Sequence, residues 1–246
     1  MSNPKVAVVI VPYDSYDFFE RSASSILENT EYPNFEIIVS HNPCKDGKIN
    51  AQIKAWSTLS TPTHAKVHYL RHEANLYHAE ASQKGMAVSN IDAKYIVLCN
   101  DDIFIPANQL NWMQKMVDFM EADKNAATVT PCLLYPRKET IYWIGKQNPD
   151  QPMHDFLHAS RSDPKLPREP ITTCYNNMAI CMTRKKLMEE IPLGQSCSHY
   201  GSDSEFANRI RDKYPEMKHW VIPEIKCYHW NAYNTRENHG SEETAG

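Results

Sequence analysis

The chain has 246 residues, of which 41% are hydrophobic and 10% aromatic, and its formal net charge is −4. This length suits one large α/β domain or two small ones with a sizeable core. The charge is unlike that of a protein that clamps nucleic acid with its whole surface. The longest apolar run, residues 6–11, is far shorter than the roughly 20 residues of a membrane-spanning helix. No signal-peptide pattern opens the chain, so we expect a soluble, cytoplasmic protein.

The first half of the chain alternates patterns typical of strands and of helices. The β-branched run KVAVVIVP at residues 5–12 predicts a parallel strand covered on both faces, and apolar residues at helical spacing from 16 to 27 predict a helix. Further strands are predicted over residues 35–40, 67–70, 95–99 and 127–131, and further helices over 77–89 and about 110–120. Repeated β-α-β units predict a doubly wound sheet that binds ligands beyond the carboxyl ends of its strands.

The second half is less regular. Residues 147–170 contain five prolines and little periodicity, which predicts a long loop that is either a functional lid or mobile. After it we predict a strand over 172–182, an amphipathic helix over 203–214 and a late strand over 220–228.

The most informative motif is the acidic pair that follows the fourth predicted strand, in Asn100-Asp101-Asp102. Adjacent carboxylates repel each other unless a positive charge offsets them, and hard oxygen ligands suit Mg2+ or Mn2+. The alternative is that Asp102 caps a helix near Pro106 or Asn108. The glycine-rich signatures of dinucleotide-binding and P-loop enzymes do not occur in the sequence, which argues against both classes.

A wider series of segments gives the acidic pair a context. These segments are the first strand with Pro12-Tyr13, Ser25-Ile26-Leu27, the second strand, Asn75 with Gln83-Lys84-Gly85, Ile96 to Asp102, and Tyr200 to Phe206 with Arg209. Each is weak alone, but in order and spacing, from about residue 5 to residue 230, they resemble the motifs of glycosyltransferase family 2.

The resemblance implies a GT-A fold of the α/β class. This is a Rossmann-like, mostly parallel central sheet flanked by helices, with a smaller mixed region on the acceptor side. Residues 1–130 would form the half that binds the nucleotide sugar, and residues 131–233 the half that binds the acceptor and carries out catalysis. Residues 234–246 would be a polar tail.

The resemblance also implies roles for individual residues. Asp102 would be the main ligand of Mn2+ or Mg2+, which would bridge the diphosphate of the nucleotide-sugar donor. His229 would be a further ligand or a diphosphate contact, unless it is simply a packed histidine. Asn100 and Asp101 would contact the ribose, or the metal through water.

The catalytic group implied by the family pattern is Asp203, as the base that removes the proton of the acceptor hydroxyl. Glu205 is the rival base, and Arg209 would orient the carboxylates. The alternative for Asp203 is a helix N-cap.

The family usually has an aspartate after its second strand that reads the nucleotide base. Here Ser40 or His41 replaces it, while Asp46 keeps the last position of that motif. A histidine or asparagine can still bond a base edge, so the base is left open. The full set of expected donor contacts is Pro12, Tyr13, Asp14, His41, Asn42, Asp46, Asn75, Asn100 and Asp101.

The predicted function is metal-dependent, inverting transfer of a hexose or pentose to a hydroxyl group. The expected acceptor is a glycan or another soluble molecule, with a modified DNA base as a minority hypothesis. Two other functions remain open, a non-catalytic GT-A-like module that binds a nucleotide or glycan and a nucleotidyltransferase. Members of the latter class usually carry a Gly-rich basic loop after the first strand, which residues 12–16 lack.

Other chemistry-bearing residues are expected to be structural. The seven cysteines are predicted to be buried reduced thiols. The spacing of His64, His68 and His72 would give a metal face only on a helix, and a strand is predicted there. Arg184 to Lys186 are expected to form a solvated basic patch. Trp143, Tyr175 and Trp230 could stack on sugars but are expected to be core aromatics. His154 and His158 could reach the acceptor if the 147–170 loop is a lid.

Overall fold

A computed structural model describes residues 3–59, 65–148, 150, 155–194 and 201–230. The strands in this part of the chain are β1 (Lys5–Val11), β2 (Phe35–His41), β3 (Lys66–Arg71), β4 (Ala93–Asn100), β5 (Ile103–Phe104), β6 (Ala126–Leu134), β7 (Ile141–Trp143), β8 (Ile171–Thr173), β9 (Ile180–Arg184) and β10 (Lys218–His229). The helices are α1 (Tyr16–Glu28), α2 (Gly47–Leu59), α3 (Tyr77–Ala87), α4 (Trp112–Ala122), α5 (Lys185–Glu190) and α6 (Ser202–Lys213), with a short 3-10 turn at Ala107–Gln109.

The strands form one sheet in the order β3-β2-β1-β4-β9-β6-β10-β5, with β7 beside β6 and β8 beside β10. The first four strands of that order are mutually parallel, and β10 is parallel to β6. β9 runs antiparallel to β4 and β6, between which it lies. The predicted α/β architecture, with a parallel part and a smaller mixed part, is confirmed.

Helices cover both faces of the sheet because alternate residues of the apolar strands point to opposite sides. One apolar cluster joins α1, α2 and α4 to the sheet through side chains such as Phe19, Ile53 and Trp112. A second cluster joins α3, α5 and α6 to the other face, for example through Leu187 and Phe206. Both faces of the central strands are therefore buried, as the uninterrupted apolar run of β1 predicts.

Gly85 allows α3 to lie unusually close to the sheet. A Cβ atom at this position would meet Val9 Cγ1 at 2.5 Å and Ser40 Cβ at 3.1 Å. The first of these distances is below any ordinary carbon–carbon contact, so a larger residue would push the helix away from β1 and β2.

Residues 172–182, predicted as one strand, form two strands in different parts of the sheet, so that prediction is wrong. β8 pairs with β10, and β9 lies between β4 and β6. The buried side chain of Asn176 causes the break, because its amide nitrogen donates to Thr128 Oγ1 at 2.7 Å and to the Trp220 carbonyl at 3.1 Å.

The segment 147–170 is more ordered than the predicted long loop, in the part that is described. The amide of Ile141 donates to the Ala159 carbonyl at 2.8 Å, and the amide of His158 donates to the Ile141 carbonyl at 2.8 Å. Residues 155–161 are thus attached to β7, whereas residues 149 and 151–154, with the candidate His154, lie outside the described residues. The helix α2 was not predicted, because Ile53 is the only fully buried apolar side chain among those described in it.

A bulge interrupts β10. The register with β6 shifts between Ile222 and Lys226, so that residues 223–225 face the single step from Pro131 to Cys132. Prolines lie on both strands here, and because proline has no N–H to donate, bulges are the places where sheets accept it. Beyond the bulge the strand continues along β6 and also pairs with β5.

The cysteines of the described residues are free, as predicted: Cys99, Cys132, Cys181 and Cys227 are buried, and Cys44 and Cys174 are half-buried. Cys197 lies outside the described residues.

Among the described residues, no helix has the length and apolar character needed to cross a membrane.

Candidate active site

The carboxyl ends of β1 and β4 meet at one edge of the sheet, where Val11 is the register partner of Asn100. The amide of Tyr13, just past β1, donates to Asp101 Oδ2 at 3.2 Å. The hydroxyl of Ser22 on α1 donates to the Asn100 carbonyl at 3.3 Å. These contacts fix the acidic turn against both β1 and α1, so the predicted donor contacts Tyr13, Asn100 and Asp101 are neighbours.

The second contact of this turn is with the end of β10. β5 pairs antiparallel with β10, with Ile103 opposite His229, and the amide of Trp230 donates to the Asp102 carbonyl at 2.9 Å. As a result His229 Nε2 lies 3.3 Å from Asp102 Oδ1. Asp102 is 6% exposed and His229 is 7% exposed. The two residues predicted as metal ligands therefore converge, although they are far apart in sequence.

Burial and mutual repulsion disfavour the charged form of the carboxyls in the acidic turn. Burial, and next the charge of Asp102, raise the pKa of the Asp101 carboxyl well above its ordinary value, against the opposing hydrogen bond from Tyr13. The alternative role of Asp102 as a helix cap is wrong, because the 3-10 turn has Pro106 as its N-cap and α4 has Asn111.

The donor set of Asp102 and His229 fits a divalent cation. Adjacent ligand atoms of an octahedral ion with bonds of about 2.1 Å lie about 3 Å apart, which is close to the observed 3.3 Å between Nε2 and Oδ1. Carboxylate ligands suit Mn2+, and imidazole is a common ligand of first-row transition metals. No group of three or more His, Cys, Asp or Glu side chains suited to a metal occurs in the described part of the chain. The remaining coordination positions of the cation would thus be filled by ligands other than such side chains, as is usual for ions that bind phosphates.

Sequence reasoning missed Tyr142, which holds the ring of His229 in place. The two rings pack edge to face, with centroids 4.8 Å apart and planes at 70°. Tyr135 also packs edge to face with Tyr142, at 5.2 Å, and stacks on His158 at 5.2 Å. Nothing in the sequence indicated these ring contacts, because β7 has only three residues and such a short strand gives no periodic pattern.

The ends of β1 and β2 are tied together by Asn42. Its amide N–H donates to the Pro12 carbonyl at 3.0 Å, its side-chain nitrogen donates to the Tyr77 carbonyl at 3.0 Å, and its Oδ1 accepts from the Leu76 amide at 3.0 Å. Asn75 accepts from the Tyr77 amide at 2.9 Å, in a turn before α3. The side-chain oxygens of these two predicted donor contacts thus already accept hydrogen bonds within the protein.

His41 is fully buried, and its Nδ1 lies 2.8 Å from the hydroxyl of Tyr69. Burial, followed by the charge of Arg71, lowers its pKa to about 4, so the ring is neutral at neutral pH. Asp46 accepts from the Lys48 amide at 2.8 Å and is exposed at the start of α2. Asp14 is exposed beyond β1.

The predicted catalytic residues lie in the first turns of α6. Gly201, at φ +84°, is the N-cap residue, so the predicted alternative of Asp203 as N-cap is wrong. Burial raises the pKa of the Asp203 carboxyl, whose Oδ1 accepts from the Ser204 amide at 2.8 Å. Glu205 lies 3.9 Å from Arg209, and Arg209 also donates to the Pro192 carbonyl at 2.5 Å. Arg209 therefore ties α6 to the preceding loop as well as to Glu205.

The remaining candidates have structural contacts. Arg184 donates to the carbonyls of Met120 and Asp123, and Lys185 donates to the Asn90 carbonyl, so the expected solvated patch is wrong for these two residues. His72 bonds Ser40 while His68 pairs with Glu36, so these two form no common metal face. Trp143 is fully buried, and His64 lies outside the described residues.

The fold and this site define an α/β protein of the GT-A type, and comparisons with known proteins agree. The family model described as glycosyl transferase family 2 matches residues 7–191, so the chain belongs to that family. The matched range ends before α6 and His229, so it does not bear on the roles predicted for Asp203, Glu205, Arg209 and His229. A search of curated proteins gives no match.

Two solved structures illustrate the fold. One is the mannosyltransferase PcManGT from Pyrobaculum calidifontis, in complex with GDP-Man and Mn2+, with a TM-score of 0.66 and 16% identity over 92% of this chain and 57% of that chain. The other is GalNAc-T7 with UDP, GalNAc and Mn2+, with a TM-score of 0.68 and 14% identity over 92% of this chain and 43% of that chain. This chain spans about half the length of these proteins, and at such identities the likeness concerns the fold.

Proposed function

We propose that this protein is a glycosyltransferase that moves a sugar from a nucleotide-sugar donor to an acceptor hydroxyl, with inversion and with a divalent cation. The observation that carries the proposal is the Asp102–His229 pair, 3.3 Å apart at the carboxyl ends of β4 and β10. Family membership and the two structural neighbours, both solved with Mn2+ and with a nucleotide or nucleotide sugar, support it.

Asp102 and His229 would hold the cation, which supplies positive charge to the diphosphate as it leaves. The turn formed by Tyr13, Asn100 and Asp101 would position the ribose and diphosphate at the same edge. Because the Tyr13 amide already bonds Asp101, that turn needs little rearrangement to receive a ligand.

Asp203 would act as the base. Its carboxylate would take the proton of the acceptor hydroxyl while the hydroxyl oxygen attacks the anomeric carbon and the bond to the diphosphate breaks. A raised pKa makes the carboxylate a stronger base, which suits this role. Glu205 is the less suitable base because Arg209 lies within ion-pair distance of it. The acceptor is proposed to be a glycan or another hydroxyl-bearing molecule.

Titration calorimetry with GDP and UDP sugars, with and without MnCl2, tests this function. We expect Mn2+-dependent binding of one donor class, and we expect Asp102→Ala to weaken it more than about 100-fold, beyond the loss typical of residues that only support a ligand. Asp92→Ala is the matched control, because Asp92 is exposed just before β4, at the opposite edge of the sheet. A folded protein that binds none of the donors, or binds them equally after Asp102→Ala, would refute the metal-dependent function.

A second measurement separates an enzyme from a binding module. Donor consumption and sugar transfer are followed by mass spectrometry against a panel of glycan acceptors. Product formation supports transfer, whereas Mn2+-dependent donor binding without turnover or hydrolysis on the whole panel would favour the non-catalytic module.

A further inference from the structure

A second concave site lies at the opposite end of β10. It is a groove of about 620 Å³ between β8, the end of α6 and the first residues of β10, and it is lined by Gln147, Thr172, Thr173, Cys174, Arg211, Pro215, Met217, Lys218 and His219. β10 has 12 residues, so at about 3.3 Å per residue the groove is up to about 36 Å from His229. This volume falls within the range of roughly 300–1,000 Å³ typical of small-ligand sites.

The charges of the groove are of one sign. Arg211 and Lys218 are cations, and no carboxylate is among the lining side chains. Neither cation forms an ion pair with any residue in the described ranges. The neighbouring carboxylate of Asp155 is engaged, because its Oδ2 accepts from the Gln147 amide at 2.9 Å. Two cations without counter-ions beside a concave surface favour an anionic ligand.

The guanidinium of Arg211 is held in position before any ligand arrives. It donates to Asn208 Oδ1 at 3.1 Å and to the Cys174 carbonyl at 2.8 Å. These two bonds use part of its five N–H donors and leave the others available. His219 forms a neutral wall, since burial, and next the charge of Arg211, lower its pKa to about 4. At neutral pH the positive charge of the groove therefore comes from Arg211 and Lys218.

We propose that this groove binds an anionic sugar, with a phosphate or carboxylate group on Arg211 and Lys218. The side chains of Gln147 and Thr172 offer hydrogen bonds to sugar hydroxyl groups, and Pro215 and Met217 offer an apolar surface to the ring. No Phe, Tyr or Trp side chain lines the groove, so it lacks the large rings on which nucleobases usually stack. The site is separate from the candidate active site and does not depend on the proposed transfer reaction.

The test compares four probes by titration calorimetry in the absence of donor and metal: glucose 6-phosphate, glucuronate, glucose and inorganic phosphate. The two anionic sugars should bind. Glucose and phosphate should bind at least about tenfold more weakly, because glucose lacks the anionic group and phosphate lacks the sugar ring. Equal binding of phosphate and glucose 6-phosphate would overturn the sugar site, and so would equal binding of glucose.

Charge-neutral variants locate the binding. Arg211→Gln and Lys218→Gln should each weaken glucose 6-phosphate by roughly tenfold or more, the effect of losing one charge-assisted hydrogen bond. Lys218→Gln is the safer variant, because no hydrogen bond of its side chain occurs in the described structure. The matched control is Lys48→Gln with Lys54→Gln, which removes two exposed charges from α2. Unchanged affinity in both groove variants would refute the proposal, whereas Asp102→Ala should leave the affinity unchanged.

The half-buried Cys174 gives a local readout, because its thiol lies at the groove while Cys44, also half-buried, lies before α2. Glucose 6-phosphate should slow iodoacetamide labelling of Cys174 and leave Cys44 unaffected, as measured by peptide mass spectrometry. Equal slowing at both thiols, or none at Cys174, would contradict binding in the groove.

Discussion

The acidic turn after β4 and the carboxylate of Asp203 in α6 are built in opposite ways. The turn Asn100–Asp102 is held by long-range contacts, to Tyr13 after β1 and to His229 at the end of β10. Asp203 is held by local contacts, mainly the amide of the next residue. Burial raises the pKa of both Asp101 and Asp203.

This difference suits the two roles proposed above for these regions. A cation site needs ligands fixed relative to each other, and a turn clamped between two strand ends provides that. A base needs a raised pKa and access to a proton, which would suit a carboxylate that lies near the start of a helix and accepts hydrogen bonds from the next residue. The two regions should therefore respond differently to substitution.

The largest effect is expected from Asp203→Asn. Loss of a general base should lower kcat by about 10²- to 10⁴-fold and leave Mn2+-dependent donor binding intact. Initial rates and calorimetry on the same preparation measure both quantities. Glu205→Gln is the control, with a small expected change in rate. If Glu205→Gln abolishes transfer and Asp203→Asn does not, the two roles are exchanged.

The same variant tests the electrostatics of α6. A carboxyl whose pKa is raised on folding makes the folded state less stable as pH rises through that pKa. Asp203→Asn should therefore raise the melting temperature at pH 7 relative to wild type, and the difference should vanish as pH falls below the ordinary carboxyl pKa of about 3.9. A melting temperature lowered equally at both pH values would show that Asp203 is a stabilising contact instead.

A smaller effect, on stability, is expected where α3 approaches the sheet. Gly85→Ala should lower the free energy of unfolding by about 1–3 kcal/mol, because the new methyl group would overlap Val9. Urea denaturation measures this, with Gly47→Ala as the control, since no atom lies within 4 Å of a Cβ at Gly47. Equal stability of the two variants would mean that α3 shifts at little cost.

The smallest effect is expected from Tyr142. Tyr142→Ala should weaken Mn2+ binding by about tenfold, the lower end for residues that orient a metal ligand, while Tyr142→Phe should retain it. Electron paramagnetic resonance of free Mn2+ measures the affinity without turnover. Equal weakening by both substitutions would place the effect on the hydroxyl, and no weakening by either would contradict the positioning role.

The sequence predicted well where the pattern is long and one force dominates. The apolar run at β1 predicts one structure, a strand covered on both faces, and the structure has it. The order of short motifs predicted the family. The split between β8 and β9 could not be predicted, because it depends on where the buried amide of Asn176 finds its partners. Tyr142 could not be predicted either, since its role exists only once β7 and β10 pair with the same end of β6 from its two opposite edges. The convergence of Asp102 and His229 was expected from the family resemblance alone.

The bulge in β10 sets a constraint on chain length. Side chains of a strand alternate between its two faces, so the parity of residues between Ile222 and Lys226 decides which way His229 points. Loss or gain of one residue there would turn the imidazole away from Asp102 while leaving every residue of the site present. Insertions or deletions in this segment should therefore be tolerated when they change its length by two residues and not when they change it by one.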